Sequence, residues 1–186
     1  MTLPIATERL ILRRYAGDDM KDILEFVSHP SVARIVSEIE ATEAGVEKYI
    51  DVQNSYQPFE PGKCFDLVIE RKDDGQVIGL LSLICKEHRQ GAIGWALGIK
   101  YRGQGYATEA ATALMEYGFA LLGLHRIFAD TSSSNTGSLQ VMERLGMRRE
   151  GCLREATFED GEWQDTMIYG ILADEWPART RVDEAR

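Results

Sequence analysis

The passage from Ala92 to Thr131 constrains the fold of this 186-residue chain more than any other part of it. Ala92 to Ile99 reads as a strand, and its Gly94 and Gly98 mark either a bulge or a close approach by a ligand. The turn Arg102-Gly103-Gln104-Gly105-Tyr106-Ala107 follows. Ala107, Ala110, Ala111, Leu114, Gly118 and Leu121 then recur at helical spacing up to Gly123, and Arg126 to Thr131 reads as a second strand. A strand, a helix and a strand in this order predict a right-handed parallel crossover. Its glycine turn falls at the carboxyl end of the first strand, the place where open α/β sheets bind ligands. The small residues of the helix let it lie close to the sheet.

The flanking sequence extends that unit in both directions. Thr7 to Arg14 alternates with the period of a strand, with Leu10 and Leu12 on one side. Asp18-Asp19 predicts the start of a helix carrying Met20, Ile23, Leu24 and Val27 on one face and stopping at His29-Pro30. A second helix after Thr42 gathers Val46, Tyr49 and Ile50. From Lys63 the period becomes two, with Phe65, Leu67 and Ile69 facing one way, and Asp73-Asp74-Gly75-Gln76 turns the chain into Val77 to Cys85. Beyond the crossover come a helix from Ser134 to Leu145, stopped by Gly146, and a strand from Met147 to Arg154. The Asp160-Gly161 turn leads into a last strand, Glu162 to Leu172. The expectation is an α/β fold: one domain over residues 1–172, a mixed, mostly antiparallel sheet with one parallel crossover flanked by helices, and a short tail over 173–186.

Composition narrows the function classes. A formal net charge of -9 argues against a nucleic-acid partner, whose phosphates reward clustered Lys and Arg. Cys64, Cys85 and Cys152 are odd in number and far apart in apolar stretches, so they read as buried thiols rather than as disulfides or metal ligands. No metal is expected. The segment from Met1 to Arg14 carries charges where a signal peptide would be apolar, and no run is long enough to cross a bilayer. The expected compartment is the cytoplasm, with no membrane partner.

Gly103 and Gly105 remove side chains just ahead of a helix, which exposes backbone N–H groups where the helix dipole is positive. Such a turn cradles phosphate. It lacks the Gly-Lys-Ser/Thr ending of a Walker A loop, and Thr108 stands where the dinucleotide fingerprint has its third glycine or alanine. Two glycines at a strand-helix junction also occur for tight packing alone.

The turn has company. Arg102-x-x-Gly105-x-Ala107 resembles the Gln/Arg-x-x-Gly-x-Gly/Ala motif of the GNAT superfamily of N-acetyltransferases. Thr7-Glu8-Arg9-Leu10-x-Leu12-Arg13, Ile93-Gly94-Trp95-Ala96-Leu97, Tyr101 to Ala110, Asn135-x-x-Ser138 and Leu145-Gly146-Met147-x-x-Glu150-Gly151 are similar, in order and spacing, to its ribosomal-protein N-terminal acetyltransferase branch. The resemblance implies acetyl-CoA as cosubstrate, with its pyrophosphate on Arg102, Gly103, Gln104, Gly105, Tyr106 and Ala107. Pantetheine would lie against free backbone around Leu97, Gly98 and Ile99, where the sheet splays open. Asn135 would be a helix cap, a CoA contact, or both. The implied acceptor is a primary amine, a protein N-terminus or a small amine, and related enzymes often form homodimers.

Transfer from a thioester to an amine needs a proton for the departing thiolate. Many GNAT enzymes supply it from a tyrosine seven residues beyond the asparagine, and Met142 occupies that position here. Ser138 shares a helix face with Val141, Met142 and Leu145, and the resemblance puts its hydroxyl near the CoA sulfur, which makes it the candidate proton donor. The competing reading has Ser138 bonded to its own helix or merely third after the Asn135 cap. Asp165 and Glu155 are weak candidates for the base, which is unassigned. Glu109 reads as a complement to the helix dipole, and Lys100, Arg126 and Arg144 as further candidates for CoA phosphates. The missing tyrosine and base keep open a different class of function, a non-catalytic acetyl-CoA sensor.

Overall fold

The computed structural model describes residues 3–159 and 161–176. A short hairpin opens the chain, β1 (Ile5–Ala6) and β2 (Leu10–Arg13), in place of the single strand expected from Thr7. The Thr7 N–H donates to the Leu10 carbonyl and folds Thr7-Glu8-Arg9 into the turn. Helix α1 (Met20–Val27) follows one 3-10 turn, and the Asp19 carboxylate bonds the Ala16 N–H and Arg13 instead of capping α1. A proline at the first position of α2 (Pro30–Ala33) restarts the helix after the break at His29. In α3 (Glu43–Ser55), the helix expected after Thr42, the Thr42 hydroxyl accepts from the Gly45 N–H and caps the first turn.

The other elements are β3 (Cys64–Arg71), β4 (Val77–Lys86), β5 (Gln90–Leu97), α4 (Tyr106–Ala120), β6 (Arg126–Ser132), α5 (Thr136–Arg144), β7 (Arg148–Glu159) and β8 (Glu162–Leu172). Asp160 of the expected Asp160-Gly161 turn lies outside the described residues. One sheet holds all eight strands in the order β1-β2-β3-β4-β5-β6-β8-β7. Every neighbouring pair is antiparallel except β5 with β6, so the fold is the mixed α/β sheet with one parallel crossover expected from the sequence.

Each face of the sheet carries its own core. Odd-numbered positions of β3, including Phe65, Leu67 and Ile69, pack under α4 and α5 with Ala110, Ala111, Leu114, Met115, Met142 and Leu145. Val68, Leu80 and Ala96 point the other way, under Ile23, Phe26 and Val27 of α1 and Val46, Tyr49 and Ile50 of α3. The alanines of α4 bring its axis close to the sheet, and burying Leu114 and Met115 stabilises the layer by on the order of 2 kcal/mol each. At the carboxyl side the chain stays on the domain to Trp176, whose ring lies 5.8 Å from Phe119.

Candidate active site

Pairing between β5 and β6 covers only Gln90 to Ala92 against Arg126 to Phe128, although β5 runs on to Leu97 and β6 to Ser132. Past Ala92 the two strands part, and β6 keeps its other partner, β8, to its end. The result is a wedge open toward the carboxyl ends of both strands. In an antiparallel ladder, residues alternate between bonding the partner and facing away. The Gly98 N–H donates to the Ile78 carbonyl, so Gly98 and Ala96 face β4 while Leu97 and Trp95 direct their backbone into the wedge. The Leu97 carbonyl agrees with this alternation, since on the wedge side it accepts from Arg102 Nε at 3.1 Å.

Of the three backbone positions expected to meet pantetheine, Leu97 faces the wedge and Gly98 has its N–H engaged. Ile99 lies beyond the strand in a single 3-10 turn, Ile99–Tyr101, that is closed by the Tyr101 N–H on the Gly98 carbonyl. Trp95, read from the sequence as core or cleft wall, adds a second wedge-facing N–H.

The glycine turn stands at the mouth of the wedge. Gly103 (φ 75°) and Gly105 (φ 84°) are both left-handed, a conformation that side chains disfavour. Gly105 precedes the first residue of α4, and Glu109 makes the first helical bond back to the Gly105 carbonyl, so the N–H groups of Tyr106, Ala107 and Thr108 have no intrahelical acceptor. The Thr108 hydroxyl is buried without a hydrogen-bond partner among the described residues. Gln104 turns its side chain to the Lys100 carbonyl. Open N–H groups, an orphaned hydroxyl and two left-handed glycines fit an anionic ligand such as a pyrophosphate.

A cavity of about 560 Å³ adjoins the turn along the outer side of α4, lined by residues including Thr7, Gly105, Thr108, Thr112 and Arg144. Arg144 has no carboxylate partner among the described residues. Lys100 pairs with Glu25 at 2.8 Å and Arg126 with Glu150 at 2.5 Å, which removes both from the open cations around the turn.

On the far side of the wedge, Asn135 caps α5, its side-chain oxygen accepting from the Ser138 N–H at 3.1 Å. Ser138 is thus the third residue of the helix, half-buried, and its hydroxyl makes no bond among the described residues. The back-bonded alternative is not realised. Met142 is fully packed in the core one turn later. Asp165 bonds the Glu155 N–H at 2.9 Å and the Cys152 thiol, its backbone carbonyl receives the Ser133 N–H, and its carboxyl is held below the ordinary range by those first two donors. It organises a bulge in β7 and the loop before α5. Glu155 is exposed within that bulge (φ 50°).

Two arrangements were not visible in the sequence. Glu109 receives bonds from the Thr7 hydroxyl (2.6 Å), the Arg9 N–H (2.8 Å) and Arg9 Nε (2.7 Å), tying the β1-β2 turn to α4. Its partial burial opposes ionisation, but these donors outweigh that and hold its pKa below the usual value. The second arrangement surrounds Asp66, which accepts from Tyr49 Oη at 2.5 Å and Cys64 Sγ at 3.2 Å, while Gln53 bonds both the Asp66 N–H and Tyr49. Burial pushes the Asp66 carboxyl up to about 6 and the Cys64 thiol up to about 12. A cavity of about 380 Å³ above this cluster is lined by Glu38, Glu40, Lys48, Tyr49, Tyr56 and Cys64. Asp66, Ser82 and Gly94 lie in one row across β3, β4 and β5, so this cavity begins about 10 Å, two strand spacings, from β5.

All three cysteines are free thiols. Among the described residues no three His, Cys, Asp or Glu side chains converge as a metal would require, and no helix is long and apolar enough to cross a membrane.

Comparison with known proteins places the same geometry in context. The model of the acetyltransferase (GNAT) domain matches residues 9–148. The uncharacterized N-acetyltransferase YnaD of Bacillus subtilis is 32% identical over 174 residues, covering 92% of this chain and 98% of its own length. A GNAT-family acetyltransferase crystal structure from Bacillus anthracis superposes with a TM-score of 0.81 at 30% identity, over 93% of this chain and 100% of that one. The [ribosomal protein uS5]-alanine N-acetyltransferase of Escherichia coli is 26% identical over 118 residues, 62% of this chain and 61% of its own.

Proposed function

The chain belongs to the GNAT acetyltransferase family, and from that premise we propose that it moves the acetyl group of acetyl-CoA directly to a primary amine within a ternary complex. The observation that carries this reading is the wedge between β5 and β6, with the left-handed glycine turn at its mouth. We assign the pyrophosphate to Arg102, Gly103, Gln104, Gly105, Tyr106 and Ala107. Pantetheine is assigned to the wedge edge around Leu97, Gly98 and Ile99, with Asn135 closing the opposite side.

In this proposal the neutral amine attacks the thioester carbonyl, the C–S bond breaks, and the leaving thiolate takes the proton of the Ser138 hydroxyl. The attacking nitrogen, positively charged in the tetrahedral intermediate, gives up its surplus proton as the amide forms, and that proton returns to Ser138 through solvent. No side chain is assigned as base, since the Asp165 carboxylate is committed to the β7 bulge. The acceptor enters from the cavity over Asp66, where Glu38 and Glu40 suit a cationic amine. The Escherichia coli relative acts on a ribosomal protein alanine by its name, which supports a protein N-terminus beside small amines as acceptor class.

Purified protein incubated with acetyl-CoA and a panel of polyamines, small amines and N-terminal peptides is expected to release free thiol with at least one of them. Tight CoA binding with thiol release from none would replace this reading with the acetyl-CoA sensor, which the buried Met142 in place of a tyrosine otherwise favours.

A further inference from the structure

The Arg9 side chain makes more specific contacts than its exposure explains. From a turn about 95 residues away in sequence, Nε pairs with Glu109 at 2.7 Å and a terminal nitrogen donates to the Gln104 carbonyl at 3.1 Å. The guanidinium also stacks 4.4 Å from the centre of the Tyr106 ring, and its other terminal nitrogen would lie 3.4 Å from a Cβ placed on Gly105. The side chain is 42% exposed, and an ion pair in that setting adds little to stability. So much geometry for so little stability points to the residue it holds, the peptide between Gln104 and Gly105.

A trans peptide carries its C=O and N–H in opposite directions. A cation that captures the Gln104 carbonyl therefore sets the Gly105 N–H pointing away from itself. It also withdraws electron density from that carbonyl, which makes the N–H a stronger donor. We propose that Arg9 is a positioning residue for the donor site: its guanidinium fixes the Gln104–Gly105 peptide so that the Gly105 N–H faces the pyrophosphate of acetyl-CoA. Arg9 itself stands behind the turn and touches no phosphate. Glu109, anchored by Thr7 and the Arg9 N–H, orients the fork so that one planar group spans both acceptors. Lysine, with a single ammonium, satisfies Glu109 but not the Gln104 carbonyl as well.

This inference rests on the assignment of the glycine turn to acetyl-CoA, and the experiment separates the two. CoA binding is measured by calorimetry on the full chain and on Arg9→Ala and Arg9→Lys, with thermal melting to establish folding. The expected result is CoA bound by the wild type, about tenfold weaker binding by both variants, and recovery by the alanine variant in low concentrations of guanidinium. Where Arg9→Ala does not fold, Arg9→Lys decides. A folded Arg9→Lys with wild-type affinity overturns the inference and leaves the donor site standing. A wild type that does not bind CoA overturns both.

Discussion

Met142 is packed into the core with 1% of its surface exposed, one helical turn beyond Ser138, so the proton-donor proposal on this face of α5 rests on the Ser138 hydroxyl. Because that hydroxyl makes no bond within the described residues, its removal takes nothing from the fold. Ser138→Ala is expected to lower kcat about 100-fold, the scale of a lost general acid, while CoA affinity and melting temperature stay unchanged. Equal loss in kcat and CoA affinity would assign Ser138 to binding instead. Asp66 supports a second residue-scale prediction, on pH. Its folded pKa of about 6 lies above the ordinary carboxylate value because burial disfavours the charge. The native state then holds this proton more tightly than the unfolded chain, and stability from this group is complete below pH ~4 and lost as pH rises to about 6. Melting curves for wild type and Asp66→Asn should therefore converge toward acid, diverge between about pH 4 and 6 and keep their offset above it, with the asparagine form gaining relative to wild type by up to about 3 kcal/mol. A pH-independent difference would show that Asp66 does not titrate in that window. Sequence periodicity put Asp66 on the opposite side of β3 from Phe65, Leu67 and Ile69, but α3 covers that side too, and a strand buried on both faces leaves no pattern to say so. Glu109 was legible as a helix-dipole complement. Its partners, Thr7 and Arg9, lie about 100 residues away and were not.

At the scale of elements, the crossover and both capped helices were legible because each rests on local chemistry: Thr42 on the Gly45 N–H, Asn135 on the Ser138 N–H, two left-handed glycines before α4. The boundaries that failed depend on contacts from other elements. One strand became the β1-β2 hairpin around the Thr7–Leu10 bond, and β5 stops two residues early because Gly98 makes the last rung and then turns. Gly45 shows how a neighbour reverses a helix rule. Glycine to alanine inside a helix ordinarily stabilises by about 1 kcal/mol, but a Cβ on Gly45 would lie 2.4 Å from the Glu40 carbonyl. Gly45→Ala is expected to lower the melting temperature by about 4 °C, and a rise would mean that the segment before α3 yields freely. In Gly105→Val a β-branched residue takes on a left-handed backbone at a cost of about 2 kcal/mol. The folded variant should lose CoA binding, and a folded variant with undiminished affinity would refute the phosphate site.

Across the whole molecule, the wedge follows from two commitments of β6. It serves as the parallel partner of β5 for three residues and as the antiparallel partner of β8 for its full length, so beyond Phe128 it parts from β5 and stays with β8. The strands and the crossover were legible from local pattern, whereas this divergence was expected only through the family resemblance, since nothing local to β5 or β6 encodes where their pairing ends. It leaves the Trp95 and Leu97 N–H groups aimed at open space, while Ala96 and Gly98 are paired with Leu80 and Ile78 of β4. A pantetheine arm laid along this edge as a surrogate strand would bond the first two and leave the second two as they are. Amide hydrogen exchange, followed with and without CoA, should therefore slow at Trp95 and Leu97 and remain unchanged at Ala96 and Gly98. Slowing at all four alike would indicate general stiffening of the sheet, and slowing at none would place the arm outside the wedge.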